Sequence, residues 1–171
     1  MRGQTVRMIP SRPVSRTLIL LRHAKSDWSG GEADVHRPLA PRGLRQAPEA
    51  GAWMAANLDP IDLAIVSPAA RATATWNLVA AELADAPEAR LDDRVYAATE
   101  RELLDVVREL SDDLHSVVLV GHNPGLEDLL ARLTGRWRPM PTSALAVIGI
   151  SGGWADADTD ARLIAAGRPP T

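Results

Sequence analysis

Three short apolar runs constrain this chain most: Leu18-Ile19-Leu20-Leu21, Ile61-Asp62-Leu63-Ala64-Ile65-Val66 and Val117-Val118-Leu119-Val120. Each is too short for a helix and has the character of a strand buried on both faces. Between them the periodicity changes. From Pro41 to Leu58, the residues Leu44, Ala47, Gly51, Met54, Ala55 and Leu58 recur at three- and four-residue spacing, which predicts a helix with one buried face. Pro41 suits its first turn, and Pro48 predicts a kink. A second helix is expected over about 69–84, with Arg71 in its first turn. A third is expected from Thr99 to Leu110, where Thr99 and Glu102 have capping-box spacing. After the third run, Asn123 is a natural N-cap and Pro124 a natural first residue of a helix reaching about Leu133. Two closing strands, Ala144 to Ile150 and Ala161 to Ala166, flank the turn-forming segment 151–160. Strands alternating with helices predict an α/β protein, a three-layer α/β/α sandwich around a mostly parallel central sheet.

The length of 171 residues and the 46% hydrophobic content suit a single domain, expected over 17–171. Residues 1–16 carry four arginines and no acid, without a signal-like apolar core, and are expected to be a disordered basic leader. No run approaches the ~18 apolar residues of a membrane span. A net charge of −3 and a pI near 5.8 exclude a global cationic field for nucleic acid, so any positive site must be local. The lack of cysteine excludes disulfides, thiolate nucleophiles and cysteine-ligated zinc, and makes a reducing cytoplasm the expected location. A monomer or weak dimer is the expected assembly.

The three runs end at Arg22-His23, at Ser67 with Arg71 following, and at Gly121-His122. A parallel sheet puts like ends on one edge, so residues some fifty positions apart can share a cleft. Two histidines and two arginines, with Arg37 as a third, make a cationic pocket suited to a phosphoryl group. Neighbouring positive charge lowers a histidine pKa and keeps a lone pair free to attack phosphorus. Backbone amides at the helix start beside Asn123 would add anion donors. Singly, each residue reads as structural; together they suit a phosphohistidine intermediate. His36 and His115 have no partner pattern and read as surface residues, His36 with a slight claim as a site neighbour. The histidines lack HxH or HExxH spacing, so neither metal nor cofactor is expected, and no G-x-S-x-G elbow is present.

These residues resemble the signatures of the histidine phosphatase superfamily, which includes the phosphoglycerate mutases. Leu21-Arg22-His23-Ala24-Lys25-Ser26-Asp27-Trp28 is similar to the family's Arg-His-Gly motif, with Ala24 in place of the usual glycine. Asp34 and Arg37-Pro38-Leu39, then Arg42-Gly43 and Gln46-Ala47, resemble the segment leading into its first helix. Ser67-Pro68-Ala69-Ala70-Arg71-Ala72 with Thr75, and Gly121-His122-Asn123, resemble its second-arginine and second-histidine motifs. The resemblance covers about residues 17–150 and implies a phosphoglycerate mutase-like fold. It implies His23 as nucleophile, with Arg22, Arg71 and His122 binding the phosphoryl group. Arg37 is similar to an additional phosphate-facing arginine of the small phosphohistidine phosphatases of the SixA-like branch, and Ser26 and Asn123 join it as substrate-binding candidates.

Many members of that superfamily place an acidic proton donor between the second arginine and second histidine, in a motif not matched here. Glu100, Glu102 and Asp27 are weak candidates. An alkoxide leaves poorly without a proton, and a positioned acid contributes roughly 10²–10⁴-fold. A phosphorylated imidazole can take its proton from water beforehand and leave neutral. The expected activity is therefore a phosphatase acting on a phosphorylated substrate, foremost a phosphohistidine-bearing protein. A small-metabolite phosphomonoesterase and a phosphate-binding module without turnover are the alternatives.

Overall fold

A computed structural model describes residues 16–171 of the chain. Its strands are β1 (Arg16–Arg22), β2 (Leu63–Val66), β3 (Ala89–Leu91), β4 (Ser116–Gly121), β5 (Leu145–Ile150) and β6 (Ala161–Gly167). Its helices are α1 (Pro41–Asn57), α2 (Ala70–Ala80), α3 (Glu100–Arg108) and α4 (Gly125–Thr134). The strands form one sheet in the order β3-β2-β4-β1-β5-β6. The first four neighbours are parallel, while β5 runs antiparallel to both β1 and β6. The leader reading falls on residues outside those described, except that Arg16 is the first residue of β1.

Alternate residues of the buried strands feed two cores. Leu18, Leu20, Val117, Leu119, Ala146 and Ile148 pack with Leu103, Val107, Leu126 and Leu130 of α3 and α4. Ile19, Leu21, Val118, Val120, Leu145 and Val147 pack with Ala47, Met54, Ala72 and Trp76 of α1 and α2. This two-sided burial is what a mostly parallel sheet requires, and it makes the three layers expected from the apolar runs. Among the described residues no helix is long and apolar enough to cross a membrane.

Several local expectations shift. In α1 the buried face is made of Gly43, Gln46, Ala47, Ala50, Gly51 and Met54, whereas Leu44 and Ala55 face outward. The helix continues through Pro48. Helix α2 stops at Ala80, after which 81–85 form turns. The Thr99–Glu102 capping box is present on α3. Helix α4 starts one residue later than expected: Pro124 takes the N-cap place, and the Asn123 side chain turns away to Glu127 and Met140. Strand β3 was not expected, since Ala89-Arg90-Leu91 is exposed and carries no apolar alternation.

The register sets the site. Arg22 pairs with Gly121, and Val66 with Val120. Beyond those pairs His23 N–H donates to the Gly121 carbonyl and Ser67 N–H to the Val120 carbonyl. The ends of β1, β2 and β4 are therefore level, and His23, Ser67 and His122 leave the sheet side by side.

Candidate active site

A cavity of about 260 Å³ opens at these strand ends, lined by Arg22, His23, Ser26, Arg37, Arg71, His122 and Asn123. All seven candidates from the sequence thus come together. Lys25, Trp28, Asp34 and Thr142 complete the wall. Exposed His36 is not among them. Among the described residues no group of three or more His, Cys, Asp or Glu side chains is placed to hold a metal ion.

His23 is 7% exposed, and its Nδ1–H donates to the Ala24 carbonyl at 2.8 Å. That bond assigns the proton to Nδ1 and leaves the lone pair on Nε2. Burial pushes its pKa down to about 4 against the pull of the Ala24 carbonyl, and Arg71, Arg22 and Arg37 lower it further. The ring lies 5.1 Å, centroid to centroid, from that of His122.

Arg71 Nη2 lies 3.4 Å from His122 Nδ1, and a guanidinium can only donate. Nδ1 is therefore the acceptor, and Nε2–H donates to Ser67 Oγ at 2.7 Å. Burial, then His23 and Arg71, lower the His122 pKa to about 3. Both imidazoles are neutral near neutral pH.

The loop after β1 is pinned from two sides. Ala24 N–H donates to Thr75 Oγ1 on α2, and Lys25 N–H donates to Gln46 Oε1 on α1. A Cβ on Gly43 would come to 2.1 Å from the Lys25 carbonyl oxygen, so only glycine lets α1 approach this closely. Ser26 hydroxyl accepts from Arg37 Nη1 at 2.7 Å, and the Arg37 guanidinium stacks 3.5 Å over the exposed Trp28 ring.

The residue that sequence reasoning undervalued is Asp34. Its carboxylate accepts from Arg37 Nε (3.1 Å), Arg71 Nη2 (3.1 Å) and the Tyr96 hydroxyl (2.6 Å), and its carbonyl accepts from Arg71 Nη1 (2.8 Å). Tyr96 first, then Arg37 and Arg71, hold this carboxyl far below the usual range. The three-residue spacing to Arg37 was the available signal. Tyr96, which also meets the His122 ring edge-on, had none.

The acid candidates fall elsewhere. Glu102 is occupied by the capping box, and Asp27 accepts from Ser29 N–H. Glu100 borders a neighbouring cavity of about 290 Å³ that shares His122 and Asn123 with the first. Asn123 spends both amide hydrogens on Glu127 Oε1 and the Met140 carbonyl, and its buried Oδ1 has no partner. A larger hollow of about 520 Å³ lies beyond Tyr96, but Arg94 and Arg108 there are tied to Asp92, Glu109 and Asp158.

Residues 18–114 match the histidine phosphatase superfamily (branch 1). The chain belongs to that superfamily. This histidine phosphatase is 38% identical over 149 residues to an uncharacterised protein of Mycobacterium tuberculosis, the match covering 81% of this chain and 92% of that one. It is similar to a structure assigned as the phosphohistidine phosphatase SixA of Nakamurella multipartitia, at 28% identity and a TM-score of 0.81, covering 92% and 98% of the two chains. A second structure so assigned, from Agrobacterium tumefaciens, is also 28% identical, with a TM-score of 0.78 and coverage of 91% and 99%. Family membership and these likenesses support a phosphatase of the SixA-like branch.

Proposed function

We propose that this protein is a phosphatase that works through a covalent phosphohistidine at His23, with phosphohistidine in proteins as its substrate. The observation that carries the reading is the His23 ring: neutral, its Nδ1–H anchored on the Ala24 carbonyl, and its other nitrogen the one left for attack in a cavity walled by three arginines. Nε2 attacks phosphorus while the bond from phosphorus to the leaving nitrogen breaks. The leaving imidazole, already protonated on its distal nitrogen, departs neutral. Water then attacks phosphorus, the bond to Nε2 breaks, and inorganic phosphate is released. Arg22, Arg71 and Arg37 hold the equatorial oxygens, whose charge they match in both steps. An arriving phosphoryl dianion draws Arg71 Nη2 onto its own oxygens and raises the His122 pKa, so that Nδ1, released from Arg71, takes a proton from solvent and donates to the same oxygens.

The carboxyl in the cavity wall supports the nitrogen-linked substrate. Asp34, the carboxylate in the cavity wall, is held ionised and is a poor proton donor. A second reading, a phosphomonoesterase for a small metabolite, draws on one observation: Glu100 and His122 share the adjoining cavity, which would accept a leaving group beside a carboxyl.

The test compares turnover of a phosphohistidine peptide with that of a panel of sugar and nucleotide phosphates, and traps the enzyme-bound phosphate. Acid-labile, base-stable phosphate on the wild type and none on His23→Ala is the expected result. Full turnover by His23→Ala would overturn the mechanism. Strong preference for one ester, lost in Glu100→Gln, would favour the second reading.

A further inference from the structure

We propose that Glu127 is a positioning residue that sets the guanidinium of Arg22 through the Met140 peptide and the Asn123 amide. Met140 lies in the irregular connection between α4 and β5, where residues 135–139 are exposed. Its buried side chain anchors the α-carbon, but the orientation of its peptide groups depends on their hydrogen bonds. Both ends of the residue are taken. Met140 N–H donates to Glu127 Oε1 at 2.8 Å, and its carbonyl accepts from Arg22 Nη1 at 3.0 Å. Asn123 Nδ2 closes the network, donating to the same Glu127 oxygen and to the same Met140 carbonyl, each at 2.9 Å.

One carboxylate in the first turn of α4 thus fixes the acceptor that aims an arginine at the end of β1. Arg22 has little else to hold it, since its buried Nε has no hydrogen-bond partner. Glu127 is also the negative charge that offsets the burial of Arg22, while Arg168 opposes it. Without Glu127, Met140 N–H and one Asn123 hydrogen lose their acceptor together, and the carbonyl that Arg22 uses is held only by Arg22 itself and by an Asn123 amide that has lost its own anchor. Buried donors left unpaired in a shared network cost more than an isolated bond. The network also explains why Asn123 has no amide hydrogen left for a phosphoryl oxygen.

This inference rests on the reading of Arg22 as a phosphoryl-binding residue. The test is a double-mutant cycle on the full chain, reading kcat and KM with p-nitrophenyl phosphate and the affinity for inorganic phosphate. Glu127→Ala is expected to lower kcat/KM and phosphate affinity by about tenfold. Glu127→Gln, which keeps an acceptor oxygen, is expected to recover most of that loss, and Glu127→Met, of similar length without an acceptor, to reproduce it. In an Arg22→Ala background, Glu127→Ala is expected to cost less than about twofold, because the residue it acts through is gone. Wild-type behaviour of Glu127→Ala, or an equal loss with and without Arg22, would overturn the proposal. A wild-type protein that neither binds phosphate nor turns over the ester would instead bring down the functional reading, and this inference with it.

Discussion

Asp34 grips Arg71 twice, through its carbonyl on Nη1 and through its carboxylate on Nη2, and so sets a fixed negative charge on an arginine placed for a phosphoryl group. The same carboxylate holds Arg37. Its side chain is half exposed, so its repulsion of an incoming phosphoryl group is close to that between charges in water, about 1 kcal/mol per unit charge at contact distance. Asp34→Asn removes the charge and leaves one side-chain oxygen, which can accept from Arg37 Nε, while Arg71 keeps the backbone carbonyl on Nη1. The variant's inhibition constant for inorganic phosphate should be about fivefold lower than the wild type's. Weaker inhibition would mean that the charge matters chiefly for holding the two arginines in place.

Arg71 sets the His122 tautomer, and the Ser67 hydroxyl accepts from the resulting Nε2–H and holds the ring. Ser67→Ala leaves Nε2–H without that acceptor and lets the ring turn, at a cost of about 1 kcal/mol. We expect kcat/KM to fall about fivefold, with Ser67→Thr restoring most of it. A wild-type rate for Ser67→Ala would show that Arg71 alone orients the ring.

What could be read from the sequence follows from what each feature depends on. Leu18–Leu21 and Val117–Val120 are buried on both faces, so their composition alone announced strands, and level parallel ends then followed from topology. The Thr99–Glu102 box is a local contact and was legible for that reason. Strand β3 exists because Ala64, Ile65 and Val66 offer it an edge, which no property of 89–91 discloses. Glu127, Tyr96 and Gln46 act across 13, 62 and 21 positions of chain, so their partners depend on the folded arrangement rather than on spacing. Asn123 misled because its residue type suits an N-cap, while its side chain found two better acceptors in Glu127 and Met140.

Gly43 couples α1 to the nucleophile loop. A methyl group there meets the Lys25 carbonyl oxygen at 2.1 Å, and the obstacle is backbone that carries the Ala40 N–H bond. The helix must shift or residues 24–26 must move. Overpacking of this kind costs about 1–3 kcal/mol, which in a chain of this size lowers the Tm by roughly 2–12 °C. Gly43→Ala should therefore melt earlier and lose activity beyond its loss of folded protein. A melting curve and specific activity both equal to the wild type's would show that α1 can withdraw without disturbing His23.

The two histidines make both activity and stability sensitive to acid. His23 titrates near 4 and His122 near 3, below the ordinary 6.5, chiefly because they are buried. Between those values and about 6.5 the unfolded chain binds protons that the folded chain refuses. Their contribution to stability is therefore complete above about 6.5 and is lost as the pH falls towards 4 and 3. Asp34 adds a loss of the same sign at the lower end, since its carboxylate is held ionised below the usual range. We expect the Tm to fall steadily on acidification from pH 7, and His122→Asn to flatten that slope. For activity, attack needs neutral His23, so with a phosphate monoester as substrate the acid limb of kcat/KM should lie near 4 once the ester's own second ionisation, at about 6, is divided out. An acid limb that stays at 6.5 after this correction would mean that His23 is solvated like a free imidazole, and that the buried, arginine-flanked nucleophile is not the reacting species.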